Sequence, residues 1–166
     1  PLAGAARNSG VLPVGVFKNA SLTSVTGAAA SLNLHAVQLH GGEDPGYVAS
    51  LRRELSETCE IWTALSVGRD ALTSRGGDRL LFDNGDGGSG RSFDWSQIIG
   101  RSDLQRSLVA GGIGPDNADA ARALGAYAID IGSAVDQRPG KKSPQKIAAL
   151  FDTLRPASLR RLRQCA

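Results

Sequence analysis

Short apolar runs alternate with stretches of helical periodicity along most of this chain. The first run covers 11–17. Leu22, Val25, Ala29 and Leu32 then recur at three- to four-residue steps behind the capping segment Asn19-Ala20-Ser21. Ala36-Val37-Gln38-Leu39-His40 is a second apolar run, closing on polar groups. Asp44 before Pro45 is a helix start, and Tyr47, Leu51 and Leu55 share one face of the helix it opens. Further strands are expected over 61–67, 79–84, 107–113 and 128–134. A short helix is expected over 93–99. A longer one runs from Asp116 or Asn117 to Leu124, with Gly125 as its stop. Ser143-Pro144 opens the last helix, along which Ile147, Leu150, Phe151 and Leu154 repeat at helical spacing. The segment 1–10 reads as the end of a helix.

Six βα units in series imply a parallel sheet, because parallel neighbours need crossovers and helices supply them. Strands that are apolar throughout imply a sheet covered on both faces. Strand after strand ends in polar residues or glycine: Gln38 and His40, Asp83, Gly111 and Gly112, then Asp130, Gly132 and Ser133. A barrel with its site on that face uses every strand end. An open doubly wound sheet concentrates polar ends at one switch point, and no GxGxxG follows the first strand here. The pattern therefore predicts an α/β fold, a (β/α)8 TIM barrel, with about six of its eight βα units in these residues. The expected organisation is one barrel domain over 1–166 that lacks its first one or two units, with 155–166 as a basic helix end or tail.

Composition changes this picture little. The 166 residues suffice for a real core, and 41% hydrophobic with 21% charged residues is ordinary for a globular domain. The formal charge of +3 suits an anionic small substrate and gives no reason to expect nucleic acid. Monomer and homodimer both remain open. The two cysteines, Cys59 and Cys165, have no metal-ligand spacing and frame no disulfide network, so no metal and a reducing cytoplasm are the expectations. No apolar run approaches the ~20 residues of a membrane helix, and 1–10 lacks the shape of a signal peptide. The chain holds no Met, from which a start of translation upstream of Pro1 is expected. Its 21 glycines suggest tight loops or close backbone approach to a ligand.

The strand ends carry the candidate chemistry. Loops after the last two strands of a barrel often hold phosphate, and Gly111-Gly112 and Gly132-Ser133 sit there. Their other reading is as turn residues. Asp83 at a strand end is a candidate general acid or base, or else a cap for the turn at Asn84-Gly85. The Gly-rich loop 85–90 is a candidate lid, or else a solvated linker. Gln38 and His40, two apart, face one side of their strand, which places His40 at the mouth, able to bond a substrate hydroxyl or carboxylate, or else satisfied by a neighbouring backbone group. His35 and Cys59 precede strands and read as structural.

Taken together, several pieces resemble the phosphoribosylanthranilate isomerases. They are Gly15-Val16-Phe17-Lys18-Asn19, Val37-Gln38-Leu39-His40-Gly41, and Leu81-Phe82-Asp83 with Gly87-Gly88-Ser89-Gly90 and Phe93-Asp94-Trp95. Ala110-Gly111-Gly112-Ile113 with Asn117 also belongs, as do Ile129-Asp130 through Ser133 and Val135, and Pro139-Gly140-Lys141-Lys142. The resemblance implies an Amadori rearrangement of N-(5-phosphoribosyl)anthranilate in tryptophan biosynthesis, with no cofactor. It implies Asp83 as general acid, Gln38, His40 and Asp130 around the substrate, and Gly111, Gly112, Gly132 and Ser133 at its phosphate. The family's general base is a cysteine in a Lys-x-Cys-Gly motif that these 166 residues do not contain. The arginine that contacts the anthranilate carboxylate in the family is missing too. A non-catalytic barrel fragment that binds sugar phosphates is the alternative reading.

Overall fold

A computed structural model describes residues 2–85 and 92–155. The chain opens with helix α1 (Leu2–Asn8), then strand β1 (Val14–Phe17), helix α2 (Leu22–Leu32), strand β2 (Ala36–Leu39) and helix α3 (Pro45–Glu54). Strands β3 (Glu60–Ser66) and β4 (Arg79–Asp83) follow, then β5 (Leu108–Val109), helix α4 (Ala118–Ala123) and β6 (Ala128–Ile129). A hairpin of β7 (Asp136–Arg138) and β8 (Lys141–Lys142) precedes the last helix, α5 (Pro144–Leu154). The six-stranded sheet runs β1-β2-β3-β4-β5-β6, in strict chain order. The pairs β1–β2, β2–β3 and β5–β6 are parallel, with Val16 beside Gln38 and Gln38 beside Trp62.

The chain forms two compact units. The first holds 1–65 and 71–81, the second 66–70 and 82–166. Strand β4 contributes Arg79, Leu80 and Leu81 to the first, and Phe82 and Asp83 to the second.

In the first unit the alternate residues of β2 and β3 point to the helices. Val37, Leu39 and Ile61 pack with Val25 and Ala29 of α2 and with Val48 and Leu51 of α3. Each fully buried Val, Leu or Ile among them stabilises by roughly 1.5–3 kcal/mol relative to exposure. Polar caps set the helix starts. Ser21 Oγ accepts the Ser24 N–H at 3.2 Å, and Asp44 Oδ1 accepts the Tyr47 N–H at 2.7 Å ahead of Pro45. Asn33 ends α2 in the left-handed conformation, φ 48°. In the second unit Phe82, Val109, Ile98, Ala118 and Ala121 are fully buried, with Ile113, Val135 and Leu150 nearly so.

Four departures from the sequence reading have local causes. The expected strand over 107–113 shortens to β5, because Gly111 and Gly112 adopt positive φ of 81° and 64° and leave the extended region. The strand over 128–134 shortens to β6, and Gly132 leads instead into a 3-10 turn at Ser133–Val135. The helix over 93–99 is a single 3-10 turn, Trp95–Gln97, capped by Asp94. No helix forms between β3 and β4, so the series of helical crossovers is incomplete. The segment 86–91, most of the candidate lid, and 156–166 with Cys165 lie outside the described residues. No helix among the described residues is long and apolar enough to cross a membrane.

Candidate functional site

Within each unit, polar groups stand at the C-terminal ends of the strands. In the first unit Gln38 is buried on β2 with only 4% exposure, and its Nε2 lies 3.3 Å from His40 Nδ1. His40 N–H is held by Phe17 O at 2.8 Å, and the ring is half-buried. Behind it the buried Glu43 joins two loops. Its carboxylate accepts the Asn19 N–H at 2.6 Å and the Gly41 N–H at 2.8 Å, while Asn19 Oδ1 accepts the Gly42 N–H at 2.8 Å. The Arg75 guanidinium donates to Gly41 O at 3.2 Å. Sequence reasoning passed over Glu43 and Arg75. The signal for Glu43 was available: an acidic residue two places beyond Gly41 in a turn whose N–H groups need acceptors.

In the second unit Asp83 ends β4 with 8% exposure, and its Oδ1 accepts the Asn84 N–H at 2.6 Å. Asp83 O holds the Val67 N–H at 2.8 Å, and Phe82 O holds the Ala110 N–H at 2.8 Å. Backbone bonds on both sides therefore fix where the carboxylate stands. The same bond from Ala110 brings the Gly111-Gly112 loop to Asp83. The Asn117 side chain braces that loop, accepting the Gly114 N–H at 2.8 Å and donating to Gly112 O at 3.0 Å. Asn117 thus stands at the helix N-cap without capping it through its side chain. Asp130, half-buried after β6, is tied to β5 by its N–H to Val109 O at 2.8 Å. Gly132 and Ser133 are exposed. Lys142 Nζ donates to Gly132 O at 2.8 Å and pairs with Asp136 at 2.6 Å, which anchors the β7–β8 hairpin on that loop.

Of the residues singled out by sequence, Asp83, Gly111, Gly112, Asp130, Gly132 and Ser133 fall in the second unit, and Gln38 and His40 in the first. Cys59 is buried at the opposite, N-terminal end of β3, where desolvation raises its thiol pKa. A protonated, enclosed thiol is a poor nucleophile or base. Among the described residues no group of three His, Cys, Asp or Glu side chains is placed to hold a metal.

Comparison with known proteins agrees on one family. The model for N-(5'phosphoribosyl)anthranilate (PRA) isomerase matches residues 3–153. The tryptophan biosynthesis protein TrpCF of Yersinia pestis is 47% identical over 145 residues, which are 86% of this chain and 30% of that protein. The TrpCF of Salmonella typhi is also 47% identical, over 86% of this chain and 32% of its own. The chain thus spans about a third of the length of these curated relatives. Among solved structures, phosphoribosyl anthranilate isomerase from Thermus thermophilus superposes with TM-score 0.76 at 31% identity, covering 95% of this chain and 81% of that one. A phosphoribosyl anthranilate isomerase solved in complex with reduced 1-(o-carboxyphenylamino)-1-deoxyribulose 5-phosphate superposes with TM-score 0.65 at 25% identity, covering 86% and 71%. The six strands follow one another here as in the (β/α)8 barrel of those structures, and the chain belongs to the N-(5'-phosphoribosyl)anthranilate isomerase family.

Proposed function

We propose that this chain serves the Amadori rearrangement of N-(5-phosphoribosyl)anthranilate to 1-(2-carboxyphenylamino)-1-deoxyribulose 5-phosphate, in tryptophan biosynthesis in the cytoplasm. The observation that carries the reading is the Asp83 carboxyl, nine-tenths buried at the end of β4 and beside the Gly111-Gly112 loop. The reaction needs an acid there. Protonation of the furanose ring oxygen breaks its bond to the anomeric carbon, and the nitrogen lone pair forms the iminium. Loss of the proton on the second carbon then gives the enolamine, which tautomerises to the ketose. Proton transfer by a positioned side chain accounts for about 10²–10⁴ of the rate. No electron leaves the substrate, so the chemistry calls on no redox cofactor.

The other groups divide the substrate between them. Gln38, His40 and Asp130 offer hydrogen bonds to the sugar and the carboxylate. The exposed Gly132 and Ser133, with the Gly112 loop, suit the phosphate. No residue of this chain is assigned the role of base, and Cys59 is ruled out of it by its place and burial.

The test is Asp83→Asn, measured by the fluorescence loss of the anthranilate substrate. Turnover should fall about 10²-fold or more with KM little changed; unaltered turnover would remove Asp83 from the mechanism. Inorganic phosphate should also inhibit competitively, and the absence of any competition at high phosphate would remove the phosphate loops from the reading.

A further inference from the structure

A regularity runs along the strand ends. The residue two places beyond β2, β4 and β5 is glycine each time: Gly41, Gly85 and Gly111. Each lies against a polar residue at or just beyond the end of the preceding strand. Gly41 abuts the Asn19 side chain, Gly85 abuts Ser66 Oγ, and Gly111 abuts Asp83. The backbone approach that so many glycines allow is, at these three places, an approach to a neighbour's side chain.

We propose that Gly111 is a positioning residue for Asp83: the absence of a side chain at Gly111 makes the space that the Asp83 carboxylate occupies. A methyl group on Gly111 would stand 2.7 Å from Asp83 Oδ1, 2.9 Å from the Asn84 backbone nitrogen and 3.2 Å from Asn84 Cγ. The first two do not yield cheaply. Asp83 Oδ1 is held by the Asn84 N–H, the Asn84 nitrogen is backbone, and the bond from Ala110 N–H to Phe82 O locks the two strand ends in register. The φ of 81° at Gly111 adds a second cost for any L side chain. Gly132 is different: a methyl group there meets nothing within 4 Å. The two glycine loops are therefore not equivalent. Gly132 faces open space and suits a phosphate, whereas Gly111 is closed against the acid. The assignment rests on Asp83 being the general acid, and it moves Gly111 from the phosphate to the proton-transfer step.

The experiment is a cycle of Gly111→Ala and Asp83→Ala, each alone and combined, in the full chain. Thermal midpoint, kcat, KM and the phosphate inhibition constant are measured for all four proteins. In the native background Gly111→Ala should lower kcat at least about tenfold while KM and the phosphate constant stay within about twofold. With Asp83→Ala present, the same change should lower kcat no further and should cost a smaller drop in thermal midpoint, because the carboxylate it displaces is gone. A raised phosphate constant with kcat intact would return Gly111 to the phosphate and overturn the proposal. So would equal losses of thermal midpoint, or loss of folding, in both backgrounds. If Asp83→Ala leaves kcat unchanged, the general-acid reading fails. The stability cycle still decides whether Gly111 seats Asp83.

Discussion

Glu60 shows how much one half-buried carboxylate at a strand start can hold. It accepts both Arg79 nitrogens, at 2.7 and 3.0 Å, and the Trp62 indole N–H at 2.6 Å. The Arg79 hydrogen bond, ahead of the Trp62 bond and the charge of Arg79, lowers its pKa below the usual value despite burial. A depressed carboxylate pKa stabilises the folded state above the unfolded value of about 4.3 and loses that contribution as pH falls through the folded value. Asp103 behaves alike, its pKa lowered first by its side-chain bond to Arg101, whose guanidinium also stacks 5.2 Å above Phe82. The urea midpoint should hold level from neutrality down to about pH 5 and then decline. Glu60→Gln should start lower and decline less steeply. An acid limb identical in the two proteins would show that this pair contributes nothing to it.

At the scale of elements, the loops after β1 and β2 behave as one piece because Glu43 bridges them. Its carboxylate satisfies two backbone N–H groups while nearly excluded from water. Glu43→Ala would leave both donors without that partner, at a cost of about 2–4 kcal/mol. Asp44→Ala, which removes only an exposed helix cap, should cost about 1 kcal/mol. Chemical denaturation of the two variants measures both, and equal losses would mean that the bridge is no stronger than a cap. Such bonds are where sequence reading fell short. Strands β1 to β4 and helices α2, α3 and α5 were legible, because apolar spacing and the caps Ser21, Asp44 and Ser143 report local forces. The hairpin β7–β8 was not, since Asp136–Arg138 and Lys141–Lys142 carry no apolar alternation. It is held by the turn at Pro139-Gly140 and by Lys142 on Gly132 O. Asp83 was legible as a strand end. Its seat against Gly111 was not, because contact between strands depends on register.

At the scale of the whole molecule, net charge and charge placement give different expectations. The +3 of the sequence equals the charge of Arg160, Arg161 and Arg163, so residues 1–155 are formally neutral. A substrate carrying a phosphate and a carboxylate would be drawn weakly, if at all, by the molecule's net field. Several of the chain's cations lie on the hairpin beside the proposed phosphate loop. Lys142 is already paired with Asp136, but Arg138 and Lys141 are exposed on the hairpin that Lys142 anchors to Gly132. Two exposed cations on that hairpin should guide the substrate to the proposed phosphate loop at low salt and lose that effect as the Debye length shrinks from about 30 Å at 10 mM to about 8 Å at 150 mM. Over that range kcat/KM should fall severalfold while kcat holds. Arg138→Gln with Lys141→Gln should flatten the dependence. Replacing Arg160, Arg161 and Arg163 by Gln should leave it in place, even though it abolishes the net charge. The reverse result, a slope that vanishes with the three tail arginines and survives in the hairpin variant, would assign attraction to the net charge and take the hairpin out of substrate capture.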